Sequence, residues 1–239
     1  MNNKKIEKFN SHDPRNFKKI NAWVFDLDNT LYQVTQKLLK NIDEHMGAFV
    51  ANYLNTSREE AHRIQKTYFR KYGLTLRGLM IHHGLDPEQY FEEMKPMDLN
   101  EIPPNPILGK AISHLAGRKF IYTNASEKHS RLVLERLGME NVFEGIFDIQ
   151  AANYIPKPAI ESYKLLCKRH NFDSQCAVIV IPASCVPSAA GHSRPIPCWA
   201  PPSSSRRVCR VSDRRAPPSR FPDRTSSNRS RCPVGRARL

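Results

Sequence analysis

The stretch that decides the fold lies near the amino terminus, where residues 22–32 read AWVFDLDNTLY. Its first four residues are apolar, and the run stops abruptly at Asp26, Asp28 and Thr30. A short apolar run that ends in a polar loop is typical of a buried strand. We therefore predict a strand at 22–25, followed by a loop that carries candidate functional groups.

Two further loops carry polar residues beside predicted strands and helices. The apolar run at 119–122 is followed by Thr123 and Asn124, directly before a predicted helix at 126–137. Further along, Lys157 stands between two prolines just before another predicted helix. A helix amino terminus favours anions, and flanking prolines stiffen the backbone of the lysine. Each loop alone also fits a helix cap or a solvated lysine, but the three together indicate a phosphate site.

The second half of the chain alternates predicted helices and strands. Strand segments lie at 119–122, 146–149 and 176–181. Predicted helices lie at 107–116, which stops at Gly117, at 126–137, which stops at Gly138, and at 158–170. Such alternation is typical of an α/β protein whose parallel sheet is wrapped by helices. Sites in these folds lie at the carboxyl ends of the strands, where the three polar loops also fall.

The region between the first strand and this alternation has helical periodicity. Apolar residues recur there at spacings of three and four, for example at Leu38, Ile42 and Met46. This spacing marks one face of an amphipathic helix, and we expect the region to be an inserted lid over the core. The expected organisation is a polar lead-in at 1–19, a core at 20–31 and 106–180, a helical cap at 32–105 and a tail at 181–239.

The net charge of +14 is unevenly distributed over the 239 residues. Residues 181–239 contain 12 Arg, 2 Asp and no Lys or Glu, and they are rich in Pro and Ser. Such a segment buries little apolar surface, so we expect it to be disordered. Its charge with few aromatic residues, only Trp199 and Phe221, predicts weak, salt-dependent nucleic-acid binding, and nucleic acid is not the expected partner. Short apolar runs and a polar start predict a cytoplasmic protein without a membrane span.

The acid pair suggests a chemistry of its own. One carboxylate, Asp26, can attack phosphorus, and a second, Asp28, can protonate the leaving alkoxide and later deprotonate water. The same residues also suit a polar turn after a strand, in which Asp28 or Asn29 caps the next segment. The residues of this loop by themselves leave both interpretations open.

The three loops resemble motifs one to three of the haloacid dehalogenase-like (HAD) hydrolase superfamily. The resemblance rests on DLDNTLY at 26–32, YTN at 122–124 and the PKP run around Lys157, and it covers most of residues 20–180. The segments YGLTLRGLM at 72–80 and FEGIFD at 143–148 are similar to the pyrimidine 5′-nucleotidase branch of that superfamily.

The resemblance implies a Rossmann-like core, a helical cap and Mg²⁺-dependent phosphate-ester hydrolysis through an aspartyl-phosphate. Asp26 would be the nucleophile and Asp28 the general acid and base. Thr123 and Asn124 would hold the phosphoryl oxygens, and Lys157 would neutralise negative charge. The expected substrate is a small-molecule phosphate ester, such as a nucleoside monophosphate. The second acid favours a phosphatase over a dehalogenase, because an alkoxide needs a proton and a halide does not.

The fourth motif of the superfamily, an acid that helps to hold Mg²⁺, is not found. The last predicted strand is followed by IPASC, and no acid lies between Asp173 and Asp213. The implied metal ligands are therefore Asp26 and the backbone carbonyl of Asp28. Because Mg²⁺ prefers an oxygen shell anchored by carboxylates, we expect a truncated core and impaired activity.

The break in resemblance coincides with the change in composition near residue 180. An Arg-rich segment without Lys is what a GC-rich message gives when it is read out of frame, so we hypothesise a frameshift. A less favoured alternative is a strand at 208–211 that delivers Asp213 to the site. Two further alternatives stay open: a HAD-like protein without catalysis, and a weak nucleic-acid binder acting through the tail.

Overall fold

The computed structural model describes residues 20–94, 98–182 and 206–210 of the 239-residue chain. The lead-in predicted at 1–19 and most of the predicted tail lie outside the described residues. Among the helices in the described ranges, none combines the length and the apolar character that a bilayer crossing requires.

A five-stranded sheet forms the centre of the fold. Its strands are β1 (Ala22–Phe25), β2 (Arg118–Tyr122), β3 (Gly145–Phe147), β4 (Ala177–Pro182) and β5 (Arg206–Arg210). They are ordered β3-β2-β1-β4-β5, and β1 to β4 run parallel. Phe25 lies beside Ile121 on one side and Val180 on the other, so β1, β2 and β4 present their carboxyl ends at the same edge.

Helices cover both faces of the sheet and fill the region between β1 and β2. The helix α2 shows how the sequence sets their ends. Its N-cap Ser57 accepts a 3.2 Å hydrogen bond from the backbone nitrogen of Glu60, and the helix ends at Gly73, whose φ of 78° suits glycine. The helices are α1 (Gln36–Tyr53), α2 (Arg58–Tyr72), α3 (Thr75–His83), α4 (Pro87–Glu93), α5 (Pro106–Ser113), α6 (Glu127–Leu137) and α7 (Ile160–His170).

Both faces of the sheet are buried at β1 and β4, which explains why these two strands are apolar along almost their whole length. On one face Phe25 packs in a cluster that includes Leu137 of α6. On the other face Val24 packs in a cluster that includes Leu166 of α7. Successive strand residues point to opposite faces, so neighbours in β1 enter different halves of the core. The prediction of a Rossmann-like parallel sheet wrapped by helices is confirmed for β1 to β4.

The helices α1 to α4, which we call the insert, have a hydrophobic cluster of their own. Val50 of α1, Ala61 of α2, Leu79 of α3 and Tyr90 of α4 are buried together in it. Each helix therefore buries apolar residues against the other helices of the insert, while Leu38 and Ile42 of α1 pack in the core cluster of Phe25. The helical periodicity seen in the sequence at 32–105 is matched by the helices of its described residues.

The prediction that 181–239 forms no regular structure differs from the structure at Arg206–Arg210. This segment is β5, which pairs antiparallel with β4, Val208 opposite Val180 and Arg210 opposite Val178. The physical reason is the free edge of β4, whose backbone groups a fifth strand satisfies. Because β5 is antiparallel, its end at Arg210 lies at the amino end of β4. The alternative in which this strand delivers Asp213 to the carboxyl edge would need the opposite, parallel direction. Asp213 itself lies outside the described residues.

Candidate active site

A tight turn after β1 places the acid pair at the carboxyl edge of the sheet. The backbone nitrogen of Asp26 donates to the carbonyl oxygen of Val180 at 2.9 Å, which extends the β1–β4 pairing by one residue. The chain then turns: the nitrogens of Thr30 and Leu31 both donate to the carbonyl oxygen of Leu27, at 3.2 and 3.0 Å. The side chain of Thr30 reaches back and donates to Oδ2 of Asp26 at 3.3 Å.

Asp26 and Lys157 form a buried ion pair. Their side chains are 2% and 1% exposed, and Nζ of Lys157 donates to Oδ1 of Asp26 and, at 2.9 Å, to the carbonyl oxygen of Tyr122. Burial raises the pKa of Asp26, and the ammonium charge of Lys157 opposes that rise. A buried ion pair of this kind needs both partners, since either charge alone would be strongly unfavourable. The structure thus joins two of the residues that the sequence singled out.

Asp28 lies beside this pair and is held by two residues that the sequence analysis did not select. Tyr32 donates its hydroxyl to Oδ1 of Asp28 at 2.5 Å, and Nε2 of His129 lies 3.8 Å from the same oxygen. Burial acts to raise the pKa of Asp28, but His129, Tyr32 and the charge of Lys157 together hold it below its ordinary value. Burial and the adjacent carboxylate raise the pKa of Tyr32, so this hydroxyl stays a donor.

The second and third loops meet through Asn124. Its Oδ1 accepts a 2.9 Å hydrogen bond from the backbone nitrogen of Lys157, so the amide fixes the loop that carries the lysine. Thr123 is buried, and its hydroxyl oxygen accepts from the nitrogen of Ala125 at 3.0 Å. Ser126 then caps α6 by accepting from His129 at 3.3 Å. The structure therefore brings Asp26, Asp28, Thr123, Asn124 and Lys157 to one edge of the sheet.

Sequence reasoning also missed Asp148, which supports the second loop. This buried acid follows β3, and its Oδ2 accepts from the backbone nitrogen of Glu127 at 3.0 Å, while Oδ1 accepts from Ala151 at 2.8 Å. It thereby ties the end of β3 to the first turn of α6. The strand predicted at 146–149 included Asp148, whereas the observed strand ends at Phe147, so the position of this acid after a strand was not recognised.

A cavity of about 550 Å³ lies between the insert and the carboxyl edge of the sheet. The core contributes Asp28, Asn124, His129 and Lys157 to its wall, and the insert contributes mostly apolar side chains. Pockets of this size that combine apolar walls with a few polar groups are typical of small-molecule sites. Asp28 and Lys157 are therefore reachable from a space that suits a small organic molecule, and Asp26 lies directly behind them as the partner of Lys157.

The oxygen donors present do not complete a magnesium site. Oδ1 of Asp26 accepts from Lys157, Oδ1 of Asp28 accepts from Tyr32, and β4 ends at Pro182 without an acid. Within the described ranges, no cluster of three or more His, Cys, Asp and Glu side chains offers a metal site. Mg²⁺ prefers near-octahedral oxygen coordination anchored by carboxylates. The described residues do not meet that requirement.

The fold is that of an α/β protein with a charged site at the carboxyl edge of its parallel sheet. An acid pair follows the first strand, and a buried lysine is paired to the first acid. A family model for haloacid dehalogenase-like hydrolase matches residues 20–180, which is more than half of the chain. The chain therefore belongs to the haloacid dehalogenase-like hydrolases, and that part of the resemblance is confirmed.

Individual relatives are distant. The chain is similar to Phosphate metabolism protein 8 of Saccharomyces cerevisiae, 25% identical over 145 residues. This match covers 56% of the chain but 44% of the relative, so the chain spans less than half of that protein's length. Among solved structures, an L-2-haloacid dehalogenase from Xanthobacter autotrophicus is 17% identical, with 66% of this chain and 68% of that chain covered and a TM-score of 0.39. A "predicted phosphatase" from Clostridium acetobutylicum is 14% identical, with 69% and 77% covered and a TM-score of 0.43.

Proposed function

We propose that this chain is a phosphomonoester hydrolase that works through an aspartyl-phosphate intermediate. In this proposal Asp26 is the nucleophile, Asp28 is the general acid and base, and Thr123, Asn124 and Lys157 bind the phosphate. The supporting observation is the buried Asp26–Lys157 ion pair beside Asp28, of which Lys157 and Asp28 line a cavity sized for a small organic molecule. The substrate is a small-molecule phosphate ester, and a nucleoside monophosphate is the specific candidate.

The two oxygens of Asp26 have different partners. Oδ1 accepts from Lys157, whereas Oδ2 accepts the longer hydrogen bond from Thr30. We assign Oδ2 as the attacking atom. Its electron pair forms the new oxygen–phosphorus bond while the bond from phosphorus to the leaving oxygen breaks. Lys157 favours the ionised form of Asp26 against burial and offsets the charge that collects on the phosphate.

Asp28 manages the protons of both half-reactions. In the first, its carboxyl proton moves to the leaving alkoxide; in the second, its carboxylate removes a proton from the water that attacks phosphorus. The second step releases inorganic phosphate and restores the Asp26 carboxylate. In the free protein the pKa of Asp28 is lowered, and the arrival of a phosphate dianion would raise it towards the protonated form. The hydrogen bond from Tyr32 keeps the carboxyl group in position.

The test is turnover of two esters by matched variants. Wild-type protein should hydrolyse p-nitrophenyl phosphate, and Asp26→Asn should abolish that turnover. Because p-nitrophenolate leaves without a proton, Asp28→Asn should lower kcat/KM far more for an alkyl phosphate than for the aryl phosphate. Asp173→Asn, an exposed acid away from the site, is the control. Turnover that is insensitive to Asp26→Asn would refute the assignment.

The finer parts of the proposal depend on the family. They are Mg²⁺ dependence, membership of the pyrimidine 5′-nucleotidase branch, cytoplasmic location and a cap role for the insert. We further propose that activity is weak, because the fourth-motif acid is missing and the metal is poorly held. The frameshift hypothesis is tested separately: a reading frame that restores an acid-bearing loop after codon 180 would support it, and failure of both other frames would reject it.

The basic tail motivates the alternative of nucleic-acid binding. Residues 181–239 carry a net charge of +10 in the sequence, and such a segment attracts phosphate backbones. Titration of the full chain with single-stranded DNA at several salt concentrations distinguishes the alternatives. Affinity that persists at physiological salt would favour nucleic-acid binding. Affinity that disappears at that salt concentration would reject this alternative in favour of the hydrolase function. A HAD-like protein without catalysis would bind phosphate esters and show no turnover.

A further inference from the structure

Tyr122, the last residue of β2, lies against Lys157 although it has no part in the proposed chemistry. Nζ of Lys157 donates to the carbonyl oxygen of Tyr122 at 2.9 Å and lies over the ring of the same residue, 5.0 Å from its centroid. Both residues are buried. A cation over an aromatic face is attracted to the ring, more strongly where water is excluded. Tyr122 therefore holds the ammonium group through its backbone and through its side chain.

The ring of Tyr122 is itself held by neighbouring rings. Phe147 of β3 and Tyr163 of α7 pack against it edge-on, with centroid distances of 5.4 and 5.2 Å. Edge-to-face packing of this kind favours one orientation of the ring. The face that Tyr122 presents to Lys157 is therefore set by the packing between the sheet and α7.

The hydroxyl of Tyr122 is fixed by Ser162 near the start of α7. Oγ of Ser162 donates its single proton to the carbonyl oxygen of Ala159 at 2.7 Å. It must therefore be the acceptor in its hydrogen bond with Tyr122, whose hydroxyl is the donor. Because Tyr122 and Ser162 are both shielded from solvent, water would not readily replace either partner.

These contacts enclose the short segment 157–159. Tyr122 reaches the start of this segment directly, at Lys157, and its end through Ser162, at the carbonyl oxygen of Ala159. Ala159 is the N-cap residue of α7. Rotation of the tyrosine ring away from the lysine would break its hydrogen bond to Ser162. The direction of the lysine therefore depends on a hydroxyl pair that lies outside the proposed site residues.

Lys157 is fixed at both of its ends by residues at the end of β2. Asn124 accepts from its backbone nitrogen at 2.9 Å, and Tyr122, two residues earlier, holds its ammonium group. A lysine side chain has many rotamers, and ordering it when an anion binds costs conformational entropy. Because the ammonium group already has its direction in the free protein, this cost is avoided when a phosphate binds.

We propose that Tyr122 is a positioning residue for phosphate binding. Its ring and carbonyl oxygen direct the ammonium group of Lys157, and Ser162 fixes the ring through the tyrosine hydroxyl. Tyr122 is not among the described residues that line the cavity, so it acts through Lys157. This inference rests on the proposed hydrolysis of phosphate esters, since that function assigns the phosphate contact to Lys157. It adds Ser162, on a helix without any of the proposed site residues, to the residues that control phosphate affinity.

The test measures how inorganic phosphate inhibits the hydrolysis of p-nitrophenyl phosphate. Tyr122→Phe keeps the ring and removes the hydroxyl, whereas Ser162→Ala removes the acceptor of that hydroxyl. Each should raise the inhibition constant of phosphate about fivefold, the size of one hydrogen bond, and lower kcat/KM by a similar factor. Because both variants break the same contact, the double variant should also show about fivefold, not the product of about 25-fold that independent effects would give.

The contribution of the ring is measured with Tyr122→Leu. This variant removes the cation–π contact as well as the hydroxyl, so the inhibition constant should rise about 25-fold. Tyr122→Phe would then represent partial recovery by the conservative residue. An inhibition constant no higher in Tyr122→Leu than in Tyr122→Phe would overturn the role of the ring. If Tyr122→Leu does not fold, the comparison of Tyr122→Phe, Ser162→Ala and their double variant still decides the proposal.

Ser130→Ala is the matched control, because Ser130 is a buried serine near the start of α6 whose hydroxyl donates to the carbonyl oxygen of Ser126 at 2.9 Å. It should keep the wild-type inhibition constant. Urea unfolding of every variant separates stability from affinity. A lower unfolding midpoint with an unchanged inhibition constant in Tyr122→Phe would mean a purely structural role and would overturn the proposal. If wild-type protein does not hydrolyse p-nitrophenyl phosphate, the proposed function fails, while calorimetric titration with inorganic phosphate still decides the role of Tyr122.

Discussion

Arg77 of α3 donates a hydrogen bond from Nη1 to the carbonyl oxygen of Tyr154 at 2.7 Å, and so joins the insert to the loop that carries Lys157. Tyr154 has a φ of 56°, in the left-handed region, three residues before the lysine. Gly73 lies against the same loop, since a Cβ there would be 3.1 Å from Cγ of Pro156. The insert therefore contacts the loop that carries the buried lysine, and a cap role for the insert would act through this contact.

Arg77→Ala should lower kcat/KM for p-nitrophenyl phosphate by about tenfold. The variant removes a charge-assisted hydrogen bond. A loss of about 1.4 kcal/mol of stabilisation in the transition state corresponds to a tenfold lower kcat/KM. Arg77→Lys should recover part of the loss, because a shorter cationic donor remains. Steady-state kinetics on both variants measures the effect. The control is Arg58→Ala, an exposed arginine at the start of α2, and equal effects at both positions would contradict a specific role for Arg77.

Lys157→Met should destabilise the protein by about 3–5 kcal/mol, because it leaves the buried carboxylate of Asp26 without its cation. Adding Asp26→Asn to this variant should recover much of the loss, since the uncompensated charge is then removed. Urea unfolding of the two variants and of wild-type protein measures the difference. Lys37→Met, which breaks an exposed ion pair with Glu101, should change stability little. A double variant no more stable than Lys157→Met would contradict this account.

The sequence alone located β1 to β4 and the loops that carry the candidate site residues, because strand ends can be recognised from local patterns. The apolar run before Asp26 and the one before Thr123 each mark a strand, and parallel strands bring such ends to one edge. No such pattern exists for contacts between distant segments. The approach of His129 to Asp28 depends on how α6 packs against the sheet, which neither segment encodes by itself.

The strand β5 shows a different limit of sequence reasoning. Residues 206–210 read RRVCR, which lacks the apolar alternation of a typical strand and lies in a segment rich in Pro and Ser, so a strand at 208–211 was only the less favoured alternative. Its position follows from the free edge of β4, a property of the folded sheet rather than of the segment. Likewise, the sequence does not show that Oε1 of Gln65 lacks a hydrogen-bond partner among the described residues. That follows from the folded structure, in which the amide nitrogen of Gln65 donates to Asp43, 22 residues earlier.

Asp28→Asn should remove a contribution to stability that depends on pH. Because the pKa of Asp28 is lower in the folded protein than its ordinary value of 3.8, its ionisation stabilises the fold above that pH. The contribution disappears as pH falls through the folded-state pKa. Wild-type protein should therefore exceed the variant in thermal stability at pH 7, with a smaller difference below pH 3.8. Tyr32→Phe, which removes the hydrogen bond to Asp28, should reduce the pH dependence; a difference that grows at low pH would reverse the assigned sign.

Magnesium should bind weakly, because the described residues offer no carboxylate after β4. Pro182 ends that strand, one position beyond Ile181, which lies beside Asp26. Pro182→Asp should lower the Mg²⁺ concentration for half-maximal turnover by about tenfold, the effect of about 1.4 kcal/mol from one added anionic ligand. Pro182→Asn introduces a side chain of the same shape as aspartate but without its charge. It therefore distinguishes coordination of the metal from an effect of removing the proline from the strand. Calorimetry with Mg²⁺ and turnover after chelation give the two measurements, and tight binding by wild-type protein would show that ligands outside the described residues complete the site.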